Sequence, residues 1–157
     1  MLIQTICDGQ NIYVIEFSAR TGGGVKHILI NKVSGFDVIR AVVDLTLNEQ
    51  VYVKKQKAQS EYLNNIFLYC TSGEFEHLKG FEKLKCSGII SDYYLFKSKG
   101  TMMTGIANSG DRIAGVTIQA NTMHELHDKY KKMAKEISVI DVNGNDILRR
   151  DLLDVPQ

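Results

Sequence analysis

The 157-residue sequence predicts an α+β protein. Three observations lead there. Short β-rich runs meet at Asp8-Gly9 and Asn143-Gly144, turn signals that close antiparallel hairpins. Two stretches of helical spacing follow the first hairpin together, and a Thr-capped helix precedes the last. The composition, 44% hydrophobic and 24% charged, is that of an ordinary globular chain able to bury a core.

Leu2–Cys7 and Ile12–Ser18 flank Asp8-Gly9-Gln10-Asn11 and read as a hairpin. With a loop of Gly9 to Asn11, residue 4 lies opposite residue 16 and even-numbered side chains share a face. A two-residue loop pairs Gln4 with Ile15 instead, so register decides what this hairpin presents. Residues 25–33 carry Val25, Ile28, Leu29 and Val33 at helical spacing, closed by Ser34-Gly35. A second helix is predicted over 36–47, with Asp37 in its first turn. Residues 48–61 are polar and lysine-bearing, and a domain boundary is placed there, dividing 1–55 from 56–157.

Beyond it, residues 63–71 predict a strand and 74–85 a helix, on the spacing of Phe75, Leu78, Phe81 and Leu84. Residues 88–97 and 101–107 read as two strands joined through Ser98-Lys99-Gly100, and 112–119 as a third. The helix over 122–137 is the clearest. Thr122 and Glu125 form a capping-box pattern, and Leu126, Tyr130, Met133, Ala134 and Ile137 make one apolar face. Glu125 with Lys129, and Asp128 with Lys132, are spaced to pair on the exposed side. His124 and His127 lack a third ligand and read as surface histidines. A closing hairpin turns at Asn143-Gly144.

Formal net charge is +1, with seven Lys/Arg against five Asp/Glu in residues 1–60 and twelve against thirteen thereafter. Neither half carries the basic footprint of a nucleic-acid or membrane-surface binder. No apolar run is long enough to span a bilayer, and no signal-peptide pattern opens the chain. Cys7, Cys70 and Cys86 are isolated and odd in number, which points to buried thiols in a reducing cytoplasm rather than disulfides or zinc.

The chemistry concentrates in residues 13–24. A carboxylate, Glu16, interrupts an apolar strand and must be solvated, paired or bound to a cation, so it marks a cleft. Arg20 and three glycines, Gly22, Gly23 and Gly24, follow. Glycines admit close backbone approach to a ligand, and the helix start after them favours an anion. A cation and an anion held side by side are expected.

Glu16-x-Ser18-x-Arg20 before a Gly-rich turn resembles the Glu-x-Asn-x-Arg end of the ATP-grasp catalytic domain, with Ser18 where that pattern usually has Asn. The family places a first metal ligand, Glu or Gln, about a dozen residues earlier, and Gln4 stands twelve before Glu16. Gly35-Phe36-Asp37 continues the likeness into the second helix, and Gly-Asp-Arg-x-Ala-Gly at 110–115, followed by a strand, a Thr-capped helix and a final hairpin, resembles the small biotin-carboxylase-like C-terminal α+β domain. The resemblance implies the end of the grasp sheet with two helices, then that domain. It implies ATP as substrate and Mg2+ or Mn2+ held by Gln4, Glu16 and Ser18. Arg20 would face the transferred group, and Gly22, Gly23, Gly24 and His27 would line an anion or substrate site.

The activity implied is activation of a small carboxylate as an acyl phosphate for attack by an amine, as in carboxylate–amine ligases or carbamoyl-phosphate synthase. The resembled enzymes need an upstream lobe for the adenine pocket, so the expected partner is that lobe, in the same chain or as a split-gene subunit. Without it the chain is expected to be inactive, and uncovered apolar surface is expected to favour homo-oligomers. The alternative is a non-catalytic module that kept the fold and lost the chemistry.

Overall fold

The computed structural model describes residues 2–18, 22–53 and 62–153. The chain divides into two compact units, Met1–Gln59 and Ser60–Gln157.

The first unit opens with strands β1 (Leu2–Cys7) and β2 (Ile12–Ser18), paired antiparallel as a two-stranded sheet. Helices α1 (Lys26–Ser34) and α2 (Val38–Thr46) follow, packed on each other. Gly35 ends α1 in the left-handed conformation, φ +68°, and its N–H donates to the Asn31 carbonyl. Asp37 is the N-cap of α2 rather than a first-turn residue, its carboxylate accepting from Arg40 N at 2.9 Å.

Among the described residues of this unit only Val25 and Ala41 are buried apolar side chains. Ile3, Ile6, Ile12, Tyr13, Val14, Ile15 and Phe17 on the hairpin are all exposed, Phe17 to 74%. β2 was expected to be a buried strand interrupted by a carboxylate. Its side chains instead lie open, with no described residue of this unit covering them.

The second unit has β3 (Tyr62–Leu68), β4 (Gly73–Lys79), α3 (Phe81–Cys86), β5 (Asp92–Leu95), β6 (Met102–Met103), β7 (Ala114–Ala120), α4 (Met123–Glu136) and β8 (Ser138–Asp141). Two antiparallel sheets result, ordered β3-β7-β5 and β6-β4-β8. Helix α4 packs on β7 and β3. Leu68, Phe75, Phe81, Ile113, Met133 and Ile137, each 2% exposed or less, belong to one core.

Residues 74–79 form a strand where a helix was expected. The ladder to β8 pairs Phe75 with Asp141 and His77 with Ile140, and the irregularity between them takes up one residue. Phe75 and Leu78, three apart, therefore both pack on the core, which imitates helical spacing. Gly80, at φ +90°, then turns the chain into α3. β5 and β6, read as two strands joined through Ser98-Lys99-Gly100, sit in different sheets: β5 joins β7 and β6 joins β4.

The Thr122 hydroxyl caps α4 by accepting from Glu125 N at 3.1 Å, while the Glu125 carboxylate accepts from Asn121 N at 2.9 Å. Glu125 and Lys129 pair at 2.8 Å, whereas Asp128 meets His124 at 3.3 Å. At the other end Arg150 donates to the Ala134 and Ile137 carbonyls at 2.8 and 2.9 Å and to Asp146 at 2.6 Å. That closes the orphan carbonyls of the last turn and ties the final hairpin to the helix. Of the thiols only Cys70 is buried, and burial pushes it up to about 12. Cys7 and Cys86 are exposed, contrary to the expectation.

Two outcomes are expected. In hydrogen exchange of the 157-residue chain, amides of β7 and α4 should be the slowest and those of β1 and β2 should exchange by frequent local opening. Comparable protection in both units would show that the hairpin has cover. Gly80→Ala should destabilise the second unit by about 2–3 kcal/mol, since it demands positive φ of a residue with a Cβ. The new methyl would also meet the Glu136 carbonyl oxygen. Chemical denaturation of the two chains measures the loss.

Candidate functional site

The hairpin's geometry starts at its turn. Asp8 N–H donates to the Asn11 carbonyl at 3.2 Å, enclosing Gly9 and Gln10, and Gly9 takes φ +94°. The Asp8 carboxylate accepts from Gln10 N at 3.0 Å, Asn11 N at 2.8 Å and the Tyr13 hydroxyl at 3.1 Å. Donation from Asn11 first, then Gln10, holds its carboxyl below the usual carboxylate range.

This is the two-residue closure, not the three-residue loop from which the alignment of Gln4 with Glu16 was reasoned. Cys7 pairs with Ile12, Ile6 with Tyr13 and Thr5 with Val14, a register that leads Gln4 toward Ile15. The register then shifts between Gln4 and Thr5. Gln4 pairs with Glu16, Ile3 with Phe17 and Leu2 with Ser18. Directly opposed residues share a face, so Gln4 and Glu16 are neighbours and Ser18 lies two residues along on the same side. The alignment stands for a different reason than the loop length.

Gln4 and Glu16 are exposed, whereas the Ser18 hydroxyl oxygen is shielded from solvent and, among the described residues, meets no hydrogen-bond partner. With the Gln4 amide and the Glu16 carboxylate it makes a set of three oxygen-bearing side chains on one face. The set is all oxygen, the type that suits a hard divalent cation. Among the described residues no group of three or more His, Cys, Asp or Glu could hold a metal, so a site here would use the mixed set. Glu16 lies on an open face rather than in a closed cleft.

Arg20 lies outside the described residues. Gly22, Gly23 and Gly24 lead into α1, whose N-cap, Val25, provides no side-chain cap and whose first turn holds no acid. Its free N–H groups thus have no carboxylate competitor. Lys26 folds its stem back along Gly22, close enough that a Cβ there would displace it. Its position in the first turn of an acid-free helix was the available signal. His27 is half-buried on the same turn.

A hollow of about 320 Å³ lies between the start of α2 and residues 50–52, lined by Asp37, Arg40, Asp44 and Tyr52 among others. Arg40 is paired to Asp44 at 2.7 Å and Asp37 caps the helix, so these charges are already matched.

The described chain is thus an α+β protein of antiparallel sheets, with an oxygen-rich hairpin face and a glycine turn into an uncapped helix. No protein-family model and no curated protein matches the sequence. Solved structures do match. Phosphoribosylglycinamide synthetase from Anaerococcus prevotii superposes with a TM-score of 0.71 at 18% identity, over 88% of this chain and 36% of that one. L-amino acid ligase from Bacillus licheniformis superposes with a TM-score of 0.70 at 21% identity, over 88% and 35%. Both are ATP-grasp ligases, and the fold shared here is theirs. The chain spans about a third of the length of either structure. No helix among the described residues is long and apolar enough to cross a membrane.

The turn carries a pH signature. Because the Asp8 pKa is depressed on folding, its support of the hairpin is present above the unfolded value, about 3.9, and is lost as pH falls through the folded value. Strand-type Hα shifts of Ile6 and Tyr13 should hold from pH 7 to 5 and decline below about pH 4. Asp8→Asn, which keeps an acceptor without a proton to gain, should remove the decline.

Proposed function

We propose that this chain is the C-terminal part of an ATP- and Mg2+-dependent ligase. The enzyme would activate a carboxylate as an acyl phosphate and join it to an amine. The observation that carries this reading is the cross-strand pair of Gln4 and Glu16, with the unpartnered Ser18 hydroxyl on the same face. The fold shared with phosphoribosylglycinamide synthetase and L-amino acid ligase supports it.

In the reaction, a carboxylate oxygen attacks the γ-phosphorus of ATP and ADP leaves. The amine then attacks the acyl carbon, phosphate departs with the bonding pair, and the amine's proton passes to solvent or a base. Gln4, Glu16 and Ser18 would hold the metal, which offsets phosphate charge when bound. Glu16 fixes the charge of that set, and Gln4 and Ser18 add neutral oxygens that orient it. Arg20 would face the transferred phosphoryl group. The amides of Gly22 to Gly24 and the open N–H groups of α1, with Lys26 and His27 alongside, would bind an oxyanion or a substrate carboxylate. A carbamoyl-phosphate-synthase-like reaction would phosphorylate bicarbonate, take ammonia as the amine to give carbamate and phosphate, and then phosphorylate the carbamate with a second ATP, releasing a second ADP. The adenine pocket would come from an upstream lobe, joined in the same chain or supplied as a separate subunit, and residues 1–157 alone would not turn over.

The test uses the chain together with that lobe. Glu16→Ala should lower kcat/KM by about two to three orders of magnitude and remove the Mg2+ dependence of nucleotide binding in calorimetry. Unchanged turnover and binding would remove the ligase reading. Nucleotide binding without turnover in the parent enzyme would instead mark an assembly module.

A further inference from the structure

The tight turn and the polar face require different registers. From the turn, Cys7–Ile12, Ile6–Tyr13 and Thr5–Val14 form one uninterrupted ladder. Continued regularly, it would set Gln4 against Ile15 and Glu16 against Ile3. Side chains alternate with a period of two, so the carboxylate would then face the side of Ile3 and Val14, away from Gln4. The observed pairing passes over one residue of β2, Ile15, and resumes at Gln4–Glu16.

We propose that Ile15 is a positioning residue, the single extra residue of a β-bulge that returns Glu16 to the face of Gln4 and Ser18. What that face binds rests on the ligase reading; the role of Ile15 in the register does not. The bulge has to fall before Glu16. Without an extra residue before it, the carboxylate would stand opposite Ile3, with Phe17 moved onto the polar face opposite Leu2. The role belongs to the backbone and not to the isoleucine side chain, which is 53% exposed. Bulges re-aim side chains in this way, and the two-residue turn at Gly9-Gln10, with glycine first, sets the other register.

The test is disulfide mapping in the full chain with Cys7→Ser. Gln4→Cys with Glu16→Cys should oxidise about tenfold faster than Ile3→Cys with Glu16→Cys, because only directly opposed residues meet the Cα separation a disulfide needs. Deleting Ile15, or inserting an alanine between Gln4 and Thr5 to give it a partner, should restore a regular ladder and keep the 4/16 crosslink. Ile15→Ala should keep it as well. If the loop itself supplied the register, deletion would instead bring Thr5 opposite Glu16 and abolish the 4/16 crosslink, which overturns the proposal. Equal yields from the 3/16 and 4/16 pairs would overturn it too. The crosslinks are read without metal or nucleotide. A holding pattern combined with Mg2+-independent nucleotide binding in the lobe-bearing enzyme would sink the ligase reading and leave the bulge's role intact.

Discussion

The interaction on which the rest depends is the antiparallel ladder between Leu2–Cys7 and Ile12–Ser18, and within it the opposition of Gln4 and Glu16. The proposed cation site needs the carboxylate and the amide oxygen on one face; one residue of slip separates them onto opposite faces. The turn does not secure that alignment. The Asp8 network favours the competing register, and the irregularity at Ile15 reconciles the two. Local turn chemistry and site geometry thus conflict in this hairpin, a pattern expected where a sequence serves chemistry rather than folding alone.

The two units meet the requirements of folding differently. Residues 62–153 enclose a core of large side chains, cap α4 at both ends and pair nearly every strand within the unit. The hairpin and helices of residues 2–53 leave their apolar side chains open. Fully covering a side chain such as Ile12 or Phe17 is worth about 1.5–3 kcal/mol, so covering the seven apolar hairpin residues is worth on the order of 10 kcal/mol. That is comparable to the whole net stability of a typical domain. An isolated two-stranded hairpin is marginal in water, and this one gains its stability only when a further layer lies on it.

Legibility followed the range of the forces involved. Helix α4 could be read because a Thr122 cap, a Glu125 partner and the Leu126, Met133 and Ile137 stripe are local and agree. The fold of the second unit was less visible. Phe75 and Leu78 share the core side through an irregular strand, so their spacing spoke for a helix. The partners of β5 and β6 lie far along the chain, where adjacency in sequence misleads. Cys7 and Cys86 were expected inside on residue type alone, yet one sits on the open hairpin and the other at the end of a six-residue helix. At the site, the spacing of Gln4 and Glu16 was legible and the device that aligns them was not. A two-residue turn at Gly9-Gln10 pairs residue 4 with residue 15, so the twelve-residue spacing leaves one residue to be absorbed.

Ser18 connects these strands of argument. In the resembled pattern the position usually carries Asn, whose amide oxygen reaches further than a hydroxyl. Here the shorter side chain leaves its oxygen sheltered and without a partner. Ser34 and Ser87, at helix ends, donate to the carbonyls of Ile30 and Leu84, whereas among the described residues the Ser18 hydroxyl meets no such acceptor. In the proposed ligase that hydroxyl would be the third oxygen of the Gln4 and Glu16 set. A serine there would shorten one ligand without removing its oxygen, and so keep the chemistry that the ladder aligns.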